Sequence, residues 1–243
     1  MSSDPAEILT RMAAAYAACT SYCDDGVVTT TFFSPSRVVQ RRPFSTRFVR
    51  DQGFLFEFRS RRGEDDWDQY AVWNENGRTR TWWSKMPKRD EAESLATALA
   101  GGTGVSGGSA YRVPHLLMPE MYKDNGAARP PEAFKLLESS EAELEGCVVI
   151  ERVRDAHGAE QIWIDRSTLL IRRVIAPRHP LRPPPPEAVE RLKAINPAAA
   201  AEMAKRLAER AGRESAEVET TTVYEAAFNP SIRVEELVFT RPG

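Results

Sequence analysis

The feature that most constrains the fold is a change of hydrophobic period at Tyr22, from the 3.6-residue repeat of a helix to the two-residue repeat of a strand. Five runs rich in β-branched and aromatic residues follow, and they predict consecutive strands at 27–33, 43–49, 53–58, 69–73 and 78–83. Turn-forming residues fill the short connections between them. Because a parallel crossover needs about a dozen residues or more, these connections predict an antiparallel meander.

An amphipathic helix precedes the first strand. Asp4, Pro5 and Glu7 combine an N-cap, a first-turn proline and an acidic third residue, which is typical of a capping box. The apolar residues that follow form a single stripe: Ile8, Leu9, Met12, Ala15, Tyr16 and Cys19. The stripe must pack against another part of the chain. The helix is predicted to end near Ser21.

A helical excursion interrupts the sheet after the fifth strand. Asp90 and Glu93 predict the start of a helix that Gly101 ends. The glycine- and serine-rich tract 101–109 is predicted to be a flexible loop, since it lacks the strand and the Lys-Ser/Thr pair of a phosphate-binding loop. The apolar segment 115–122 contains a proline and predicts a short helix over a core.

The sheet then resumes. Segments 134–153 and 160–176 predict two hairpins, and 218–228 with 232–239 predicts a closing hairpin. Between them lies a proline-rich helical insertion, residues 177–212, within what we predict to be one domain of residues 1–243.

Composition excludes several classes of function. The 243 residues contain 33 Lys and Arg against 35 Asp and Glu, and no run of like charges is long enough to follow a phosphate backbone, so nucleic acid is not an expected partner. No stretch reaches about 18 apolar residues, so no transmembrane segment is predicted. The N-terminus lacks the pattern of an export signal, although residues 1–3 could equally be the seam left where one was trimmed.

No motif points to catalysis, a metal or a cofactor. His115, His157 and His179 have no second metal-type ligand at a suitable spacing, and the acidic run 64–68 lacks the oxygen spacing of a calcium loop. No nucleophile elbow, zinc-protease motif or phosphate loop occurs. We therefore expect no catalytic residue, no metal and no cofactor. An enzyme would need convergent polar groups in a cleft, such as Asp165 near an arginine or His115.

Three cysteines exclude a disulfide-dense scaffold. Cys19 and Cys23 straddle the junction between the first helix and the first strand, and they lack zinc-ribbon spacing. Cys147 lies at the start of a later strand. A bridge from Cys19 or Cys23 to Cys147 and a fully reduced chain are both left open.

Bulky rings are concentrated on one side of the strands. Alternation places phenylalanines of two neighbouring strands on a shared face: Phe44, Phe48, Phe54, Phe56 and Phe58. Trp73, Trp82 and Trp83 add further rings, although two adjacent tryptophans must face opposite sides. Two interpretations stay open. The rings form a core under the helices, or a curved sheet and its helices leave a cavity that binds an apolar ligand.

The order of elements resembles the LolA-like superfamily of bacterial envelope proteins, which includes lipoprotein carriers and related domains of sigma-factor regulators. ILTRMAAAYAACTSYCDDGVV (8–28) is similar to the family's opening helix and first strand, and TRFVRDQGFLFEFR (46–59) to an aromatic strand pair. IWIDRSTLLIRRV (162–174) resembles its later hairpin, and FNPSIRVEELVF (228–239) its final strand.

The resemblance implies an α+β fold, in which a single strongly curved antiparallel sheet forms an unclosed half-barrel and helices cover its concave face. It implies that an apolar cavity is lined by strand aromatics Phe48, Phe54, Phe56 and Phe58 and by cover residues Leu116, Leu117 and Met118. Trp73 and Trp82 complete the predicted ligand-binding set.

The function that follows is non-catalytic binding or transport of a hydrophobic ligand in the periplasm or outer envelope of a bacterium. The ligand would be a lipid, an acyl chain or a lipidated peptide, and segment 91–122, hinged by glycines, would open as a lid. One alternative is an envelope sensor or protein-interaction domain with a filled core, docking a protein partner through the inserted helices at 187–211. An enzyme acting on an apolar or glycan substrate is the third interpretation.

Overall fold

One antiparallel sheet of ten strands forms the framework of the protein. The structure is a computed structural model, and the residues that it describes are 4–33, 36–61, 67–75, 77–84, 91–103, 106–122, 133–138, 146–153, 159–180, 186–195, 197, 200–201, 204–205 and 217–241. In chain order the strands are β1 Ser21–Phe32, β2 Val38–Val49, β3 Gly53–Arg61, β4 Trp67–Glu75, β5 Arg78–Trp83, β6 Ala133–Leu137, β7 Cys147–Val153, β8 Ala159–Asp165, β9 Ile171–Pro180 and β10 Glu217–Phe228.

The strand order is β5-β4-β3-β2-β1-β10-β9-β8-β7-β6. The chain therefore builds two meanders, and its first and last strands meet in the middle of the sheet, with Tyr22 opposite Phe228 and Phe32 opposite Val218. Within the described ranges the edge strands β5 and β6 do not pair with each other, so the sheet is open. The predicted α+β architecture, an antiparallel unclosed half-barrel with helices, is confirmed.

The predicted strands of the first meander are confirmed, as are the two later hairpins. β1 begins at Ser21 rather than at residue 27, because Tyr22 and Asp24 continue the inward alternation of the strand and are both buried.

Helices precede and follow the first meander, one more lies between β9 and β10, and a short one follows β10. The helices are α1 Pro5–Ala18, α2 Leu95–Thr103, α3 Ser109–Leu117 and α4 Pro186–Ile195, with short 3₁₀ helices at Pro119–Tyr122 and Val234–Leu237. α1 begins as predicted, since the Asp4 side chain accepts a hydrogen bond from the Ala6 amide at 2.9 Å and Pro5 is the first helical residue. It buries Ile8, Met12 and Tyr16 against the sheet.

Two expectations for the helical excursion are wrong. α2 does not end at Gly101 but continues to Thr103, and its first turn is capped by Ser94, whose hydroxyl accepts a hydrogen bond from the Thr97 amide at 3.1 Å. The predicted cap Asp90 lies outside the described residues. The described part of tract 101–109 is a helix end, a turn and a helix start rather than a loop, and Ser106 in that turn is fully buried.

Close approach explains why glycines are needed in this tract. A Cβ on Gly102 would lie 2.9 Å from the ring of Tyr70, so glycine lets α2 pack directly on β4. Gly107 has a φ of +63°, and a Cβ there would lie 2.7 Å from Val28 of β1. Glycine here therefore allows tight docking of the helices as well as a sharp turn.

The predicted closing hairpin is also wrong in its second half. Residues 232–239 form no strand in the structure, and Val234–Leu237 is a 3₁₀ helix that contacts β2 and β3. The physical reason is that both edges of β10 are already bonded, one to β1 and the other to β9. A further strand could not pair with β10, so the chain crosses to the other face of the sheet.

The sheet separates two cores. We call the face covered by α1, α2 and α3 the inner face, and the face covered by the C-terminal segment the outer face. Buried side chains of the inner core include Tyr16, Tyr22, Phe44, Phe48, Phe54, Phe56, Phe58, Leu99, Val113, Leu117, Ile150 and Ile164. The smaller outer core consists of Leu55, Ala71, Trp73, Trp82 and Phe239.

Other expectations have mixed outcomes. α4 matches the first helical piece of the insertion, whereas most of the second piece, 197–211, lies outside the described residues. All three cysteines are free thiols. None of the helices in the described part of the chain is both long and apolar enough to cross a membrane.

The neighbouring glycines of α2 provide a matched test of helix docking. Gly102→Ala should destabilise the protein by about 1–3 kcal/mol, because the added methyl group overpacks against Tyr70. Gly101→Ala should instead stabilise it by about 0.5–1 kcal/mol, since its Cβ would meet only the Tyr70 hydroxyl at 3.7 Å. Urea unfolding of both variants measures the difference. Equal effects of the two substitutions would contradict the close packing of α2 on β4.

Candidate functional site

The inner face brings together seven of the nine residues predicted to bind a ligand. Phe48, Phe54, Phe56, Phe58 and Leu117 are buried in the inner core, and Leu116 and Met118 are partly buried against it. Alternation along β2 and β3 explains the shared direction of the phenylalanines, and cross-strand pairing places Phe48 opposite Phe54. Their role in ligand binding stays a prediction.

Trp73 and Trp82 do not join that set, because they lie in the outer core with Phe239. On β4, Val72 points to the inner core, so its neighbour Trp73 points away from it. Trp82 lies opposite Ala71 and shares its outward direction. Trp83 is the tryptophan of this pair that faces inward, where its ring meets Tyr70 edge-on at a centroid distance of 6.4 Å.

The inner core is closed by what we call the helical cover, which consists of α2, α3 and the 3₁₀ helix Pro119–Tyr122. Polar contacts tie it to the sheet at separate points. The Tyr70 hydroxyl donates to the Ala98 carbonyl at 2.9 Å, and the Arg50 guanidinium donates to the Leu117 carbonyl at 3.4 Å. Between these contacts, apolar side chains make the interface.

The strongest tie of the helical cover is an ion pair between Arg112 of α3 and Glu160 of β8. The guanidinium donates to both carboxylate oxygens, at 2.6 and 3.1 Å. Only 6% of the Glu160 side chain is exposed, so the pair lies largely out of water. Burial lowers the pKa of Arg112, but the charge of Glu160 outweighs this effect and the net pKa is raised. The pair therefore stays ionised and fixes the position of α3 against β8 of the second meander.

A group of polar side chains lies at the centre of the inner face, where apolar residues were expected. We call Tyr16, Tyr22, Asp24, Thr46 and Tyr224 the buried polar cluster, and each is at least 98% removed from solvent. The Tyr22 hydroxyl donates to Asp24 Oδ2 at 2.8 Å, and the Tyr16 hydroxyl accepts from the Ile171 amide at 3.0 Å. The sequence analysis did not predict this cluster. Asp24 alternates with Tyr22 and Val28 on β1, and this alternation would have predicted its position on the inner face.

Three oxygens of the buried polar cluster have no hydrogen-bond partner of good geometry among the described residues, although Thr46 interacts with Asp24, and Arg112 with the Tyr224 hydroxyl. These oxygens are Asp24 Oδ1, Thr46 Oγ1 and the Tyr224 hydroxyl. Burial raises the pKa of Asp24 to about 7, although the nearby hydroxyls of Tyr22 and Thr46 lower it in part. Burial also raises the pKa of Tyr16, Tyr22 and Tyr224. The phenols therefore remain neutral, and Asp24 is the group that titrates near neutral pH.

Asp165 does lie beside an arginine, Arg172, but the pair forms part of a hairpin turn. Asp165 lies in the turn between β8 and β9, where Ser167, Thr168 and Arg172 all donate to its carboxylate. Burial raises its pKa, but these hydrogen bonds outweigh burial and hold the pKa below the usual range. Asp165 thus stabilises a hairpin. His115 lies on α3, stacked on the ring of Tyr111.

An open groove of about 200 Å³ lies beside Pro43, between the side chains of Asp25, Glu57 and Arg59. Its charged walls do not suit an apolar chain. In the described residues no group of three or more His, Cys, Asp or Glu side chains is arranged to hold a metal ion.

Comparison with known proteins gives structural neighbours only. No protein-family model and no curated protein matches the chain. A DUF1329 family protein from Desulfovibrio piger is similar with a TM-score of 0.36 and 10% identity, over 93% of this chain and 92% of the other. A putative outer membrane lipoprotein-sorting protein domain from Vibrio parahaemolyticus is similar with a TM-score of 0.35 and 8% identity, over 95% and 94%.

Asp24 makes the stability of the fold depend on pH. The folded protein holds its pKa at about 7, against 3.8 ordinarily, so the folded state retains a proton that the unfolded chain has lost. The free energy of unfolding should therefore fall as pH rises from about 4 to about 8, by at most about 4 kcal/mol. Asp24→Asn cannot ionise and should lack this decline. Urea unfolding across the pH range measures it.

Asp25→Asn is the control for that series, because Asp25 is the next residue of β1 and its side chain is exposed, bonded to Arg47. This variant should follow the same decline as the parent protein. A parent curve that runs parallel to that of Asp24→Asn over the whole range would show that Asp24 is not the titrating group.

The Arg112–Glu160 pair should contribute more to stability than an exposed ion pair. Arg112→Met removes the guanidinium that chelates a buried carboxylate and should cost about 3–5 kcal/mol, whereas Arg112→Lys, which keeps the charge without the fork, should cost less. Lys193→Met is the control, since Lys193 and Glu190 are exposed and 4.0 Å apart. It should change stability by less than about 0.5 kcal/mol in urea unfolding. A cost for Arg112→Met that is no larger than the control would contradict the role of this tie.

Proposed function

We propose that the protein binds and carries a hydrophobic ligand, without catalysing a reaction, between the inner face of the sheet and the helical cover. The ligand is a lipid or an acyl chain, either free or attached to a peptide. The observation that carries the proposal is the construction of the inner core, in which an open sheet presents a broad apolar face and a separate helical cover closes it. Opening this cover would expose apolar surface without disturbing any strand pairing.

Burial of apolar surface would provide the free energy for binding such a ligand. An apolar chain gains about 25 cal/mol for each Å² removed from water, so one acyl chain could contribute several kcal/mol. That gain must offset the separation of the helical cover from the sheet. The cover is held by separate polar ties, among them those at Ala98, Leu117 and Arg112, and these hydrogen bonds would have to break for it to move.

The composition of the helical cover supports adaptable contact with a chain. Leu116, Met118 and Met121 are partly buried against the inner core, so they are the cover residues that a ligand would meet first. Methionine side chains are flexible and polarisable, and they fill irregular apolar spaces. A rim formed by Leu116, Met118 and Met121 would therefore accept apolar chains of varied shape.

The location and domain structure belong to the same proposal. The resemblance of the sequence motifs to LolA-like proteins supports a place in the bacterial cell envelope, where an envelope protein would deliver or accept the ligand. We further propose that residues 1–243 form one domain, with residues 177–212 as an insertion between β9 and β10.

A second function is favoured by one observation. The phenylalanines of the inner core are at most 5% exposed, so the core is filled when the cover is closed. A permanently closed cover would make the protein an envelope sensor or interaction domain that binds a protein partner through its surface. The two functions differ in whether apolar molecules enter the core.

Ligand binding can be tested on gently purified protein. Native mass spectrometry with lipid extraction should reveal a retained adduct of acyl-chain mass, and the apolar fluorophore diphenylhexatriene should bind and become fluorescent. Met118→Glu places a charge at the rim of the inner core and should weaken fluorophore binding at least about ten-fold.

Val234→Glu is the matched control, because Val234 is 60% exposed and lies in the C-terminal 3₁₀ helix, away from the helical cover. It should leave fluorophore binding unchanged. A clean mass without an adduct, together with no fluorophore binding by the parent protein, would reject the carrier function in favour of the interaction domain.

A further inference from the structure

We infer that the buried polar cluster is the subsite for the polar head of the ligand, and that this head is a primary ammonium group. The inference rests on the proposed function, since it assumes that an apolar chain enters between the inner face and the helical cover. It adds the chemical class of the ligand: an alkyl chain that ends in a protonated amine.

Strand register brings the members of the cluster together. Asp24 on β1 lies directly opposite Thr46 on β2 and opposite Ala226 on β10. Tyr224 lies two residues from Ala226 on the same face of β10, so it is the diagonal neighbour of Asp24. Directly opposite side chains have Cβ atoms about 4.5–5.5 Å apart, and diagonal neighbours remain within reach of a long side chain. Three adjacent strands thus direct oxygens to one region of the inner face.

The hydrogen-bonding capacity of these oxygens is incomplete. Asp24 Oδ2 accepts from Tyr22, whereas Asp24 Oδ1, Thr46 Oγ1 and the Tyr224 hydroxyl have no partner of good geometry among the described residues. An unsatisfied polar group in a core is costly, and a cluster of three on adjacent strands calls for a ligand group. A primary ammonium has three N–H donors and no acceptor, so it complements three oxygens that can all accept.

Charge favours an ammonium over a neutral hydroxyl. Among the described residues no cationic side chain donates a hydrogen bond to the Asp24 carboxylate. Arg47 lies nearby, but its guanidinium bonds to the backbone carbonyl of Asp24 and to the carboxylate of Asp25 on the outer face. Arg112, the cation of the helical cover, is chelated by Glu160 and also interacts with the Tyr224 hydroxyl, but it does not bond to the Asp24 carboxylate. A ligand cation would therefore supply Asp24 with a directly bonded counter-charge.

The position of the cluster also suits a head group. Phe44 and Phe48, on either side of Thr46 along β2, point to the same face and are buried in the inner core. An ammonium held at Asp24 would therefore be surrounded by surface that accepts the alkyl chain. The chain and its head would be bound by different residues, which makes their contributions separable by mutation.

The test compares ligands that share a dodecyl chain and differ only in the head. Dodecylamine, dodecanol and dodecanoate, each kept below its micelle-forming concentration, are compared as competitors of diphenylhexatriene for the 243-residue protein. The pH is about 8, where Asp24 is ionised. The parent protein should prefer the amine to the alcohol by at least about ten-fold, and it should bind dodecanoate most weakly.

Variants of similar shape then show which residues cause the preference for the amine over the alcohol. Asp24→Asn should reduce the preference for the amine to less than about two-fold while leaving the affinity for dodecanol unchanged, and Thr46→Val and Tyr224→Phe should each reduce it by a smaller factor. Thr222→Val is the control, because Thr222 is also buried on β10 but lies opposite the apolar Val28. It should keep the full preference.

The possible outcomes distinguish failure of the ammonium subsite from failure of the carrier function. Equal binding of all three heads, or an unchanged preference in Asp24→Asn, would overturn the ammonium subsite while an apolar carrier remains. Failure of the parent protein to bind diphenylhexatriene or any dodecyl ligand would overturn the carrier function itself, and this inference with it.

Discussion

The antiparallel pairing of β1 with β10 is the contact on which the rest of the structure depends. It joins residues 22–32 to residues 218–228, so nearly the whole chain is enclosed between the two partners. Each meander could form locally through short turns, but each alone would leave a central strand unpaired on one edge. The long-range pairing merges both meanders into one sheet wide enough for α1 and the helical cover. It also places Asp24 next to β10, which completes the buried polar cluster.

The two faces of this sheet are covered in different ways, and the difference bears on function. The outer face is closed by the C-terminal segment, whose Phe239 packs against Trp73 and Trp82 with ring centroids 5.3 Å apart. The inner face is closed by helices that are tied to the sheet by polar contacts such as those of Tyr70 and Arg112. Within it lie an ionisable carboxyl group and two hydroxyls that have no hydrogen-bond partner of good geometry among the described residues, and a purely structural core would not need them. Groups that cost stability without an evident structural benefit are typical of functional sites.

Much of the fold and part of the site could be predicted from sequence. The period of two from β1 to β5, the Asp4 cap and the alternation of Phe54, Phe56 and Phe58 each depend on neighbours a few residues apart, and each prediction was correct. Errors arose where a distant partner decided the outcome. Alternation showed that Trp82 and Trp83 must face opposite sides, but only the pairing of β5 with β4 shows which one faces inward. Residues 232–239 have the composition of a strand, but they form none because both edges of β10 are already hydrogen-bonded.

The sequence by itself determined the strands, their antiparallel order within each meander and the aromatic side of β2 and β3, because turn chemistry and side-chain alternation act over short distances. The tertiary structure decided what covers each face, where the glycine-rich tract turns and which polar groups meet. Gly102 and Gly107 are glycines because Tyr70 and Val28 approach them from other strands. Asp24 has a raised pKa because α1, β2 and β10 remove it from water. Neither property can be read from neighbouring residues, since each depends on segments that meet only in the folded chain.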